Sequence, residues 1–191
     1  MRALRLTAAI AAVLLTCACL PVTTKTPVGS TVGFSPDPAL VGAWRGSNDA
    51  GDKKEDTLIV FVKNEDGTMT AIVPEDDRWT TYNLRVARLG GHTFMNVREL
   101  LQNGKAADDE LAGQQFPILY GVKGNRLTIA FLDEKKTAAA IKAGAVAGTI
   151  EPGEHGDVHI TADAASLDKF MQSDAGVALF SAKPIVMKKI D

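Results

Sequence analysis

His155, Asp157 and His159 form the one set of ligand-type side chains at regular spacing in this chain. On an extended strand these three positions share a face, while Val158 and Ile160 take the other. Two imidazoles and a carboxylate are donor types that hold Zn²⁺ or Fe²⁺. Same-face neighbours on a strand stand about 6.5–7 Å apart, however, which is wide for three donors meeting on one ion. Pro152, Gly153 and Gly156 also place a turn ahead of the strand. The triplet is therefore read as a solvated outer face, with metal ligation as the alternative, and no metal or other cofactor is expected.

The remaining polar clusters carry less. Asn48, Asp49, Gly51 and Asp52 have the composition of a calcium loop without its regular spacing or terminal Glu. Glu75-Asp76-Asp77 and Asp108-Asp109-Glu110 are acidic runs of the kind found in solvated loops. Glu151 and Glu154 could exchange protons, but nothing converges them on a cleft. No Ser occupies a Gly-x-Ser-x-Gly elbow. The Gly121-Val122-Lys123-Gly124 segment reads as a hairpin turn, because no helix start follows to cradle a phosphate. No enzymatic activity is expected.

Both cysteines of the 191 residues, Cys17 and Cys19, lie near the start. Arg2 and Arg5 precede an apolar run from Leu6 to Leu15, too short for a span of about 20 apolar residues and suited to a signal-peptide core. The segment Leu14-Leu15-Thr16-Cys17-Ala18-Cys19 resembles the lipobox of bacterial lipoproteins, in which the cysteine is lipidated and becomes the new N-terminus. Cys19, after the small Ala18, is the better match, and Cys17 is the alternative. The resemblance implies a signal peptide over 1–18. Neither cysteine is followed by Asp, which by the same resemblance implies an outer-membrane lipoprotein whose domain faces the periplasm. A domain without cysteine suits that oxidising compartment.

Charge narrows the partners. Lys and Arg number 21 against 23 Asp and Glu, a formal net charge of −2. Loss of residues 1–18 removes two arginines and leaves 19 basic against 23 acidic residues, about −4. That balance gives no basic footprint for nucleic acid. Residues 19–39 hold four prolines, two glycines and many hydroxyls, and read as a lipidated Cys followed by a flexible tether. Residues 40–191 then make a single domain.

The elements that would position any site are mostly short strands. Thr57–Lys63 and Thr68–Val73 flank Asn64-Glu65-Asp66-Gly67; Thr80–Arg88 and His92–Val97 flank Leu89-Gly90-Gly91; Pro117–Val122 and Arg126–Leu132 flank Lys123-Gly124-Asn125. Three hairpins in succession predict an antiparallel meander. Leu40–Ser47 opens it, and Val158–Ile160 and Pro184–Ile190 follow. Helices are predicted over Asp133–Ala143 and from Asp163 to Met171, each with Asp as N-cap, with a weak polar candidate over Glu99–Leu111. The fold class is mainly β (α+β): an antiparallel barrel or strongly curved half-barrel of about nine strands, with two short helices late in the chain.

Gly42-Ala43-Trp44 at the start of the first strand resembles the opening motif of the lipocalin superfamily. In that family the Trp closes one end of the barrel under a basic side chain from the last strand, a place Lys188 or Lys189 would fill here. The resemblance implies a lipocalin-like domain whose apolar interior either takes a small hydrophobic ligand or is filled by its own side chains. Trp44, Phe61, Leu84, Phe94, Tyr120, Ile129 and Phe131 are the expected lining. The alternative is a periplasmic protein–protein module, such as an inhibitor or immunity protein for an envelope hydrolase. Its contact would be an acidic, aromatic rim such as Glu75 to Trp79.

Overall fold

The computed structural model describes residues 22–48, 55–75, 78–102, 104–106, 114–151 and 157–190. In chain order the strands are β1 (Thr23–Thr24), β2 (Gly42–Asn48), β3 (Glu55–Lys63), β4 (Met69–Glu75), β5 (Arg78–Leu89), β6 (His92–Gln102), β7 (Lys105–Ala106), β8 (Phe116–Lys123) and β9 (Arg126–Phe131). Helix α1 (Glu134–Lys142) follows, then β10 (Gly148–Ile150), β11 (Val158–Ile160), α2 (Ala164–Met171), the short α3 (Asp174–Val177) and β12 (Ile185–Ile190).

Eight strands form a closed antiparallel barrel in the order β2-β3-β4-β5-β6-β8-β9-β12, and β12 pairs back onto β2. The three expected hairpins are all present, β3–β4, β5–β6 and β8–β9, each strand pair in antiparallel register. Closure is the physical answer to exposed sheet edges, since every barrel strand has a neighbour on both sides. Period-two alternation then sends Phe61, Leu84 and Ile129 inward to one core, which also holds Trp44, Met69, Tyr120, Leu127 and Met187.

A second core lies on the outside of the barrel. Phe94, Leu89 and Ala130 project outward from β6, β5 and β9, and meet Val28, Val158, Ile160, Leu167, Met171 and Phe180. The covering layer comprises α1–α3 and a small sheet in which β11 pairs parallel with β1 and antiparallel with β10. Asp133 and Asp163 cap α1 and α2 as expected, accepting from Lys136 N at 3.0 Å and Ser166 N at 3.0 Å. Asp163 also accepts from Ser166 Oγ at 2.8 Å, and its two bonds from Ser166, backbone first and hydroxyl second, hold its carboxyl below its ordinary pKa.

Three expectations need correction. Residues 22–39, expected as the greater part of a flexible tether, are a packed strap. Val28 is fully buried, and its N–H and C=O are bonded by the Asn96 amide at 2.6 and 2.8 Å. Asp168, only 2% exposed, accepts from Gly29 N at 2.6 Å, Thr31 N at 2.8 Å and Thr31 Oγ1 at 2.6 Å. Gly29 has φ +90°, and a Cβ there would collide with Ala87. The second correction is the helix candidate over Glu99–Leu111. Its first four residues extend β6, because they find partners on β5 between Thr80 and Tyr82; Lys105–Ala106 form β7, and 107–111 lie outside the described residues. The third concerns Phe94, which points away from the lumen. His92–Val97 is covered on both faces, so apolar alternation alone does not choose between Phe94 and Met95.

Candidate ligand cavity

The barrel interior changes character along its axis. At the end where β2 begins, the side chains are large and fully engaged. Trp44 is fully buried and donates its indole N–H to Leu40 O at 2.7 Å. Lys189, on the closing strand, sets its ammonium 5.4 Å from the ring centroid, a cation–π contact worth on the order of 1 kcal/mol. Of the two lysines expected there, Lys189 makes the contact. Gly42 lets it pass: its φ is +124°, and a Cβ would meet the Lys189 stem at 2.8 Å.

Beside this plug, Asp37 joins the strap to the barrel. Its carboxylate accepts from Tyr120 Oη at 2.9 Å and from Ala39 N at 3.0 Å, and lies 3.5 Å from the Arg88 guanidinium. Burial, then the bond to Asp37 and its negative charge, push the Tyr120 phenol well above its usual pKa, with Arg88 opposing weakly. This phenol is a structural donor.

Toward the other end the inward residues become smaller. Thr57 on β3 and Ala71 and Val73 on β4 line the wall, while Gly46 on β2 is covered by Met187, whose Cγ a Cβ there would meet at 2.8 Å. An eight-stranded barrel is just wide enough for side chains to fill, so small residues leave room. The result is a cavity above Phe61 and Leu84, walled also by Tyr82, Met95, Val97, Ile118, Ile129, Phe131, Ile185 and Met187. The space open to the centre of a water-sized sphere is about 70 Å³, which suits a slender chain and not a bulky ring system.

Among the described residues no charged side chain lines this cavity. Tyr82 and Thr57 are the hydroxyl-bearing residues of its lining. Thr57 is 7% exposed, and its Oγ1 has no hydrogen-bond partner among the described residues.

Of the seven expected lining residues, Phe61, Leu84, Ile129 and Phe131 face the cavity. Trp44 and Tyr120 belong to the floor beneath it, and Phe94 packs outside against Phe180, ring centroids 5.9 Å apart. Of the ligand-type triplet, His159 shares a 2.6 Å hydrogen bond between Nδ1 and Thr23 Oγ1, so β11 uses it to hold β1. Asp157 has a buried Oδ1 without a partner, and His155 lies outside the described residues, as do Cys17 and Cys19. Sequence reasoning passed over Thr57. Its signal was a hydroxyl at an inward position of the alternating run Thr57, Ile59, Phe61.

Comparison of the chain with known protein families, with curated proteins and with solved structures finds no match.

Proposed function

We propose that this is a non-enzymatic, lipid-anchored envelope protein that carries a small hydrophobic ligand in its barrel. The observation behind the ligand is the cavity: a barrel tightly plugged at one end and left apolar and open at the other. Leaving such a volume unfilled forgoes packing contacts that a few larger side chains would supply. The anchor rests on Cys19, or alternatively Cys17, after a short apolar core, and the outer membrane and periplasm follow from the same lipobox resemblance.

Binding is tested with a fluorescent naphthylamine probe on the full chain and on Ala71→Phe, which projects a ring into the cavity. The probe is expected to brighten with the parent chain and to bind at least tenfold more weakly to the variant. Equal binding by both would remove the cavity as the site. Anchoring is tested by fractionation: Cys19→Ser is expected to release the chain from membranes, whereas release by Cys17→Ser alone would assign the other cysteine.

A protein partner is the second reading, favoured by Trp79 and Leu101. They are 48% and 38% exposed on the adjoining strands β5 and β6 toward the mouth. If this rim is a contact, replacing both by Ser weakens a stoichiometric complex recovered from envelope extracts and leaves probe binding intact.

A further inference from the structure

Pairing register on the outer wall of the barrel brings four cations into one line. Lys123 at the end of β8 stands opposite Arg126 at the start of β9, Arg126 opposite Lys188 on β12, and Lys188 opposite Arg45 on β2. Trp44, Leu127 and Met187 beside them belong to the inner core, so alternation sends all four outward, and all four are exposed. Neighbouring strands stand about 4.8 Å apart, which makes a row of positive charge about 14 Å long.

Stability does not account for this row. Like charges directly opposite one another on a sheet repel and cost folding free energy. None of the four forms an ion pair among the described residues; the pair found there joins Arg88 to Asp37. The same-face positions next to them along their strands are Gly121, Thr128, Val186, Ile190, Ala43 and Ser47, without an acid. Among the described residues the nearest acid by register is Asp56, opposite Ser47 and so diagonal to Arg45. This concentration of cations stands out in a chain that from residue 19 on has 19 basic against 23 acidic residues.

An exposed apolar edge borders the row. Ile190 is the next outward residue after Lys188 on β12, and Val41 and Val62 flank the Gly42–Phe61 pair at the same end of the barrel; all three are exposed. A soluble polyanion would use the cations and leave this edge unexplained. An anionic bilayer uses both, since phosphates meet the cations and the headgroup boundary takes the apolar side chains. A lipid on Cys19, as proposed above, would also leave only a few residues between bilayer and strap, so that some wall of the barrel lies against headgroups.

We infer that the outer wall of β8, β9, β12 and β2 is a docking face for anionic phospholipid, with Lys123, Arg126, Lys188 and Arg45 on the phosphates and Ile190 at the lipid boundary. The face rests on register and charge, and the anchor reading supplies only the nearness of a bilayer.

The test uses the chain from residue 19, which holds every described residue, with Cys19→Ser so that no acyl group contributes. Binding is measured by sedimentation with vesicles of phosphatidylcholine mixed with phosphatidylglycerol, and with phosphatidylcholine alone. The chain is expected to bind the mixed vesicles far better, and to leave them in about 0.5 M salt, where charges are screened within about 4 Å. Arg126→Gln together with Lys188→Gln is expected to weaken binding about 25-fold, at roughly fivefold per cation. That variant should melt no lower than its parent, because two repelling charges are gone. Lys135→Gln with Lys142→Gln, both exposed on α1, removes the same net charge and is expected to change binding about twofold or less. Equal losses in the two double variants, or equal binding to the two kinds of vesicle, overturns the inference. Binding of inorganic polyphosphate through the row, with none to vesicles, assigns it to a soluble polyanion and overturns it as well. The anchor is decided separately, by membrane fractionation of Cys19→Ser in the full chain.

Discussion

Tyr120 at the floor of the barrel and Thr57 toward its mouth are both buried hydroxyl-bearing residues on inward positions, 5% and 7% exposed. Tyr120 donates to Asp37, which is itself held by Ala39 N and faced by Arg88. Thr57 has no such partner. Tyr120 shares its core with Trp44, Leu40 and Leu127, all fully buried, whereas Thr57 lies in the wall of the cavity. One barrel thus follows two rules of packing. The floor half fills volume and satisfies polar groups, as stability demands, while the mouth half keeps a cavity and, among the described residues, one buried hydroxyl without a partner.

That contrast can be broken most sharply at the floor. Trp44→Ala is expected to cost about 4 kcal/mol, since it removes a fully buried ring together with its bond to Leu40. Thermal unfolding should shift down by roughly 8–16 °C for a chain of this size. Close behind comes Asp168→Ala in the outer layer, at about 3 kcal/mol, because three donors of the strap lose their acceptor in a dry site. Both losses should show in urea midpoints, with probe affinity for Asp168→Ala unchanged as long as the chain is folded.

Smaller changes compare the two hydroxyls directly. Tyr120→Phe is expected to lose about 1.5 kcal/mol, and Thr57→Val to gain about 0.5–1 kcal/mol, opposite signs for the same atom removed. Equal signs in denaturant titrations would erase the distinction between floor and mouth. The pH dependence carries the same contrast. The unfolded Tyr120 phenol ionises near pH 10, whereas burial and Asp37 keep the folded one protonated above that. Its contribution is therefore whole below about pH 10 and declines as pH rises from there toward the raised folded value. Urea midpoints measured between pH 9 and 11 should fall more shallowly in Tyr120→Phe. The least effect is expected at a surface cap: Asp163→Ala removes the bonds from Ser166 and costs about 1 kcal/mol or less.

What could be read from the chain follows the same division. The hairpins announce themselves through Asp66-Gly67, Gly90-Gly91 and Gly124 between alternating runs, and Gly42-x-Trp44 with Lys188 or Lys189 describes the plug, leaving only the choice of lysine to the geometry. Those signals are local, or join two ends of one chain through a known pattern. The strap had no such signal. Its prolines, glycines and threonines are those of a linker, and it is ordered by Asn96 and Asp168, 68 and 139 residues away from the backbone groups they hold. Phe94 was placed on the wrong face because the second core buries the outside of its strand as well. The cavity itself owes its room to a small inward residue, Ala71, and an absence of bulk leaves no mark in a hydrophobic pattern.

The strap has a mechanical consequence. If Cys19 carries the lipid as proposed, only residues 20 and 21 separate the anchor from Val22, which is already buried. Three residues of chain reach at most about 10 Å, so the barrel would be bolted to the bilayer surface with almost no slack. A pull between membrane and barrel would then load β1 where it lies alongside β11 and bridges Gln115, and next the Asn96 clamp on Val28. With such an anchor the strap would act as a short bracket of fixed length and would set how near to the lipid headgroups the barrel sits.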